Sequence, residues 1–471
     1  MNSNPRATAP DFHAMSSDAF KAARLARGGA ASARGASVHE HRLANGMRIL
    51  IAERHADPVV AVMLWYRVGS RNEREHEAGV SHFLEHMMFK GAERFGKGEI
   101  DRLTTMLGGS NNAFTSCDHT AYWFELASDR WETALEIEAD RMRALALDAK
   151  EFDAERAVVL EELSMGLDDP WRRLTELVQS TLFLRHPYRR PVIGHADALA
   201  RLSVRDMRDY WRRFYHPGNA TLVLCGDLDP KDALARARRY FEALPAGDSF
   251  ESVDIFRPNE THEPGERRVE TRWDDSAKRL CMAWPTAVVG SADDYALDVL
   301  STLLSSGRLS RLHRRLVVDD ELVTSISTQS DTRVEGGVFW LFAECAPTVD
   351  CAAVEAAIDD ELDRMARERV GARELARARA MIRASDAFDL ETASDFAERL
   401  GEFAVDADWR LALEGLARTL AVDATAVREV ARRLLARDRR VVGWCLPKSE
   451  AASARSGARW GARRRRRGAA R

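Results

Sequence analysis

Two long stretches of this 471-residue chain run through the same order of elements, and that recurrence limits the folds open to it. The first opens on "HEHRLANGMRILIAER", two alternating runs about Asn45-Gly46 that read as a hairpin. "PVVAVMLWYRVGS" then reads as a buried strand. Helical patterns follow at about 78–90, 98–107, 130–146, 150–166, 170–182 and 203–214, with strands "NNAFTSC" and "TAYWFELA" among them. The strand "NATLVLCGDLD" and a helix to about residue 243 close this half. Residues 246–265 are polar, carry Pro and Gly, and read as a linker. Beyond it, strand "RLCMAWPTA" precedes helices near 292–304 and 308–318. Strands "LVTSISTQ" and "GVFWLFAEC", a long helical stretch and a closing strand "RRVVGWCLP" complete the second half. The expected fold class is α+β, with two similar domains at 39–245 and 266–448, each a mostly antiparallel sheet packed with helices. Residues 1–38 read as a flexible extension and 449–471 as an Arg-rich disordered tail.

Composition excludes several function classes. No apolar run approaches the roughly 18–20 residues of a membrane-spanning helix. The net charge of −4 conceals eight arginines in residues 451–471, so residues 1–450 carry −12. An acidic body argues against a nucleic-acid binder and suits basic peptides. The tail alone has the charge to touch nucleic acid or anionic lipid, and a solvated end is the plainer reading. Six cysteines without CxxC spacing read as free thiols, mostly buried in strands, which fits a reducing compartment. The first 38 residues lack an apolar secretory core, so cytoplasm is the expected location, with bacterial periplasm and mitochondrial matrix left open.

The chemistry concentrates in "GVSHFLEHMMFKG". His82 and His86 lie four apart on one helix face and can offer two imidazoles to one ion, with Glu85 beside them as a candidate base for water. Neutral imidazoles plus a carboxylate suit Zn²⁺ with an open coordination position. A third ligand is needed, and "DAERAVVLEELSMG" offers Glu155, Glu161 and Glu162. Glu155 and Glu162 are seven apart and share a face, so one can ligate while the other orients a ligand. An acidic helix is also commonly just a solvated face. His76 and His119 are weaker candidates for the metal, Cys117 matches no nucleophile motif, and no P-loop or G-x-G-x-x-G occurs.

H-x-x-E-H is the inverted zincin motif, and here the chain resembles the pitrilysin or insulinase-type metallopeptidases (family M16). The resemblance is to the branch with two-domain subunits that includes the mitochondrial processing peptidase and bacterial heterodimeric zinc proteases. "VGSRNE", "HFLEHMMFKG", "NAFTSCDHTAYWFEL", "ERAVVLEEL", "HPYRRPVIG" and "YHPGNATLVLCGDL" fall in that family's order, over about residues 40–447. The resemblance implies the LuxS/MPP-like metallohydrolase fold and one zinc per chain. It implies His82, His86 and Glu162 as ligands, Glu162 standing 76 residues after His86, with Glu85 as base and Glu155 as supporting acid. It also implies that Asn112, Ala113 and Phe114 belong to an edge strand on which a peptide adds as a further strand.

One departure stands out. Self-sufficient members carry an Arg and, seven residues later, a Tyr that grip the substrate and its oxyanion. Those positions here are Val317 and Thr324, and no Tyr follows Tyr295 in the last 176 residues. The expectation is a zinc endopeptidase subunit acting on oligopeptides or unfolded chains. Its expected partner is a paralogous subunit that lacks H-x-x-E-H and supplies the Arg and Tyr; a homodimer is the fallback. The competing reading is a non-catalytic scaffold or core-protein-like subunit of a larger assembly.

Overall fold

The computed structural model describes residues 37–247 and 265–448. The expected extension (1–38) and linker (246–265) lie almost wholly, and the tail (449–471) wholly, outside the described residues. The first sheet contains β1 (Val38–Arg42), β2 (Arg48–Glu53), β3 (Val59–Tyr66), β4 (Ser110–Thr115), β5 (Thr120–Ala127) and β6 (Ala220–Gly226), in the order β1-β2-β6-β3-β5-β4. The second contains β7 (Arg267–Trp273), β8 (Arg279–Pro285), β9 (Val323–Asp331), β10 (Val338–Cys345) and β11 (Val441–Pro447), in the order β7-β11-β8-β10-β9. In each sheet the closing strand pairs parallel with one neighbour, β2–β6 and β7–β11, and every other pairing is antiparallel. Apart from β1, the two sheets share one topology.

The first half carries helices α1 (Val80–Met87), α2 (Glu99–Met106), α3 (Glu132–Ala144), α4 (Ala149–Leu167), α5 (Pro170–Leu182), α6 (Ala196–Arg201), α7 (Val204–Phe214) and α8 (Pro230–Phe241). The second carries α9 (Ala292–Ser305), α10 (Cys351–Arg367), α11 (Ala372–Phe388), α12 (Ala393–Asp406), α13 (Leu411–Ala421) and α14 (Ala424–Leu434). No helix among the described residues is long and apolar enough to cross a membrane.

Three elements differ from the sequence reading. β7 was not expected, because "RRVETRW" is charged and only half-buried; its pairing with β11 makes it a strand. The helix expected over 308–318 is instead a π-helical turn at His313–Asp319. The short α6 carries too few apolar positions to show a period.

The unbroken apolar run of β3, VVAVMLWY, follows from helices covering both of its faces. Val60, Val62, Leu64 and Tyr66 join the core beneath the first half's own helices. Ala61, Met63 and Trp65 face the other way, against Phe396, Ala397 and Leu400 of α12, which comes from the second half. The exchange is reciprocal: Trp171, Leu174, Val178 and Leu182 of α5 cover Cys281, Ala283, Trp340 and Phe342 of the second sheet. Both contacts are so close that a glycine is required. A Cβ on Gly401 of α12 would collide with the Trp65 indole, and one on Gly443 of β11 with Val178 of α5.

Buried polar contacts stitch the halves together beside β4. Asp118 forms an ion pair with Arg71 at 2.8 Å and accepts from the Tyr188 hydroxyl at 2.7 Å and the Val334 N–H at 3.2 Å. Glu335 in turn forms ion pairs with Arg71 at 2.9 Å and with His186 at 2.8 Å. His119 places Nδ1 3.0 Å from both carboxylate oxygens of Asp406, the last residue of α12.

Burial opposes a charge on His119, but Asp406 outweighs it and lifts the imidazole to about 9. A raised pKa contributes stability that is complete below about 6.5 and lost as pH rises through about 9, on the order of 3 kcal/mol. Urea denaturation midpoints are therefore expected to fall across that window, and His119→Gln to flatten the fall; an unchanged profile in the variant refutes the assignment. Gly401→Ala is expected to destabilise by about 1–3 kcal/mol through overpacking against Trp65, despite the better helix propensity of Ala. Calorimetry measures it, and a neutral or stabilising effect overturns the close-contact argument.

Candidate metal and catalytic site

The site begins with the placement of α1. Its Val80, Phe83, Leu84 and Met87 are buried in the first-half core, which turns His82, Glu85 and His86 to the opposite side. The helix N-terminus is held by Glu73, whose carboxylate accepts the N–H groups of Gly79 and Ser81, each at 2.9 Å. Opposite lies α4, opened by Asp148, whose side chain accepts from the N–H groups of Lys150 and Glu151. Phe152, Glu155, Val159 and Leu163 form its buried side, and Phe152 stacks on Phe83 at 4.6 Å between ring centroids.

This packing brings His82, His86 and Glu162 together. His82 Nε2 lies 3.7 Å from Glu162 Oε1, and His86 Nε2 lies 3.6 Å from Glu162 Oε2. One ligand atom from each residue falls within 4.8 Å of the others, the one such trio among the described residues. Ligands on a tetrahedral zinc at about 2.0–2.1 Å stand roughly 3.3 Å apart, so the donor set and its spacing fit Zn²⁺. Glu155, seven residues before Glu162, does not face the same point. Its Oε1 accepts from His86 Nδ1 at 2.9 Å and its Oε2 takes the Lys90 ammonium at 2.6 Å.

Electrostatics suit the same chemistry. Burial, then His86 and Arg172, lowers His82 to about 3, which keeps its imidazole neutral and able to ligate. Burial lifts the Glu85 carboxyl to about 7, helped by Glu162 and opposed by His86 and by the Thr115 hydroxyl, which donates to Oε2 at 2.6 Å. A carboxyl near neutrality is suited to move protons in both directions.

Asn112, Ala113 and Phe114 lie on β4, at the outer edge of the first sheet, just before Thr115. Val317 sits on the π-helical turn against the second-half core, and Thr324 is exposed on β9 with its hydroxyl 3.3 Å from the Glu344 carbonyl. His119 is committed to Asp406, and His76 lies in a 3-10 turn outside the trio. Burial pushes the Cys117 thiol up, away from the thiolate. Four of the six free cysteines, Cys225, Cys281, Cys345 and Cys445, are buried in strands. Sequence reasoning missed Glu73, Lys90 and Thr115. Lys90 had a legible signal, four residues after His86, but its pairing with Glu155 on α4 did not.

Two sequence profiles match in succession along the chain. That of the insulinase family, peptidase family M16, matches residues 48–196, and that of the peptidase M16 inactive domain matches residues 201–382. The zinc protease PqqE of Helicobacter pylori is 28% identical over 369 residues, 78% of this chain and 83% of that protein. The crystal structure of a protease from Helicobacter pylori superposes with a TM-score of 0.82 at 25% identity, covering 88% of this chain and all of that one. The periplasmic protease PqqL of Escherichia coli shares the fold with a TM-score of 0.73 at 20% identity, covering 90% of this chain but 49% of that longer one. With consecutive M16 profiles matching residues 48–196 and 201–382 and the fold matching over 88% of the chain, the chain belongs to the insulinase-type (M16) peptidase family.

Proposed function

We propose that this chain is the metal-bearing subunit of a zinc endopeptidase acting on oligopeptides or unfolded chains. The observation that carries the reading is the convergence of His82 Nε2, His86 Nε2 and the Glu162 carboxylate beside a carboxyl poised near neutrality, Glu85. His82, His86 and Glu162 would hold the metal. When bound, zinc supplies Lewis-acid polarisation and lowers the pKa of water. Glu85 takes the proton from the attacking water and delivers it to the departing amine, while Thr115 holds the carboxylate in place. Glu155 accepts a hydrogen bond from the His86 Nδ1–H, which would leave Nε2 as that ring's ligating atom. The edge backbone of β4 at Asn112, Ala113 and Phe114 would pair with an extended peptide, and an edge strand can do this without rearrangement.

The subunit role rests on the residues at the family's oxyanion-gripping positions. Val317 and Thr324 offer no cation and no phenol, and no Tyr follows Tyr295. A donor to a developing oxyanion is worth about 3–4 kcal/mol, so a chain lacking it needs another source. In PqqL this fold occupies about half of a longer chain. That supports a pairing in which a second, paralogous chain takes the other half's place.

Purified chain is expected to hold about one zinc, measured by atomic spectrometry, and His86→Ala to hold none. A wild-type chain without zinc would favour the scaffold reading. Glu85→Gln is expected to keep the metal and lose peptide hydrolysis by about 100-fold or more; retained hydrolysis rules Glu85 out as the base. Adding a paralogue with the Arg and Tyr but no H-x-x-E-H is expected to raise peptide cleavage well above that of either chain alone. Equal rates with and without it refute the subunit role.

A further inference from the structure

The two imidazoles and the two α4 carboxylates of this site are not treated alike by their surroundings. His86 has its Nδ1 engaged by Glu155, whereas His82 Nδ1 is buried without a hydrogen-bond partner. Glu155 is nearly buried, 9% exposed, and carries the Lys90 ammonium on its outer oxygen at 2.6 Å. Glu162 is 44% exposed, and among the described residues no Lys or Arg lies within 4.0 Å of it. Lys90 itself follows His86 by four residues, just past the end of α1, so one short stretch brings both an imidazole and an ammonium to the same carboxylate.

We infer that Lys90 is a positioning residue that gives the two α4 carboxylates their different tasks. By occupying Glu155 Oε2, it fixes that carboxylate as the acceptor for His86 Nδ1–H and withholds it from the metal, leaving Glu162 as the carboxylate that ligates. This inference rests on the zinc reading of His82, His86 and Glu162. A Lys–Glu pair at a protein surface contributes little and acts on its own partner only. Here the carboxylate's other oxygen is already committed to a ligand, so the ammonium acts through Glu155 on His86. Removing it frees Glu155 to rotate away from His86 or to compete with Glu162.

The test is zinc affinity of the full chain by chelator competition, with the visible spectrum of the Co²⁺-substituted protein as an independent readout. Lys90→Met is expected to weaken zinc binding by about 10- to 100-fold, the range for loss of groups that orient a metal ligand. It should also change the intensity and position of the Co²⁺ bands as Glu155 enters or distorts the coordination. Lys90→Arg, which keeps a cation within reach of Glu155, is expected to restore most of the affinity and the wild-type spectrum. In a Glu155→Gln background, Lys90→Met is expected to add almost nothing, because the ammonium acts only through that carboxylate.

Wild-type affinity in Lys90→Met, or the same loss in both backgrounds, would overturn the inference while leaving the zinc site intact. Absence of zinc binding by the wild-type chain would instead sink the metal reading, and this inference with it. Thermal denaturation of the metal-free variants separates misfolding from lost affinity. If Lys90→Met fails to fold, the Lys90→Arg spectrum and the Lys90→Gln affinity decide in the same way.

Discussion

Each sheet has an apolar face that its own domain leaves uncovered, and the structure depends on how those faces are closed. α12 of the second half lies on Ala61, Met63 and Trp65 of the first sheet, and α5 of the first half lies on Cys281 and Trp340 of the second. Neither contact can be withdrawn without exposing large aromatic and aliphatic surface, at about 25 cal/mol per Å². The consequence reaches the candidate site. α5 follows α4 after two residues, so the helix that carries Glu155 and Glu162 is braced at its far end by the other domain's sheet. At the other side, Asp406 at the end of α12 holds His119 in the turn that follows β4. The helix that carries Glu162 and the edge strand β4 are thus both anchored by the second half of the chain.

Burial then decides protonation inside that frame. His82, packed beside a second imidazole, is kept neutral, while Glu85 is pushed toward neutrality by the same desolvation. The two shifts run in opposite directions in charge terms but serve one end, since each disfavours the ionised form of an unpaired group. Burial acts to raise the Glu155 carboxyl as well, but Lys90 and His86 outweigh it and hold that carboxyl below its ordinary value.

Much of this was legible in the sequence, for physical reasons. Continuous apolar runs such as VVAVMLWY and ATLVLCG required strands covered on both faces, and the structure has them. His82, Glu85 and His86 were legible because helix geometry fixes which residues share a face. Their meeting with Glu162 followed from the family pattern and not from local spacing, which left Glu155 and Glu162 equivalent. Other features had no local signature. Periodicity marks α5 and α12 as amphipathic but cannot say which sheet each covers. β7 is a strand only because β11 recruits it, and the π-helical turn at His313–Asp319 looks helical to any pattern. Glu73 as the cap of α1, and Asp406 as the partner of His119, join residues 6 and 287 apart; nothing in either neighbourhood announces the other.

The second domain repeats the topology of the first without its chemistry, and the reason lies in single positions. α9 follows β8 as α1 follows β3, yet where α1 turns Glu85 toward Thr115 of the edge strand and its imidazoles toward α4, α9 turns Ser301 and Ser305, which bond Thr328 of β9. These two hydroxyls are spent on the strand, and no donor set for a metal is assembled there among the described residues. Val317 is likewise spent on packing against the second-half core, and Thr324 on the Glu344 carbonyl. A fold duplicated in this way can keep both sheets stable while only one supplies ligands, because the cores and exchanged helices need apolar surface and the site needs four polar side chains. Stability thus places no demand on the second domain to carry catalytic groups, and the proposed dependence on a second chain costs the fold nothing.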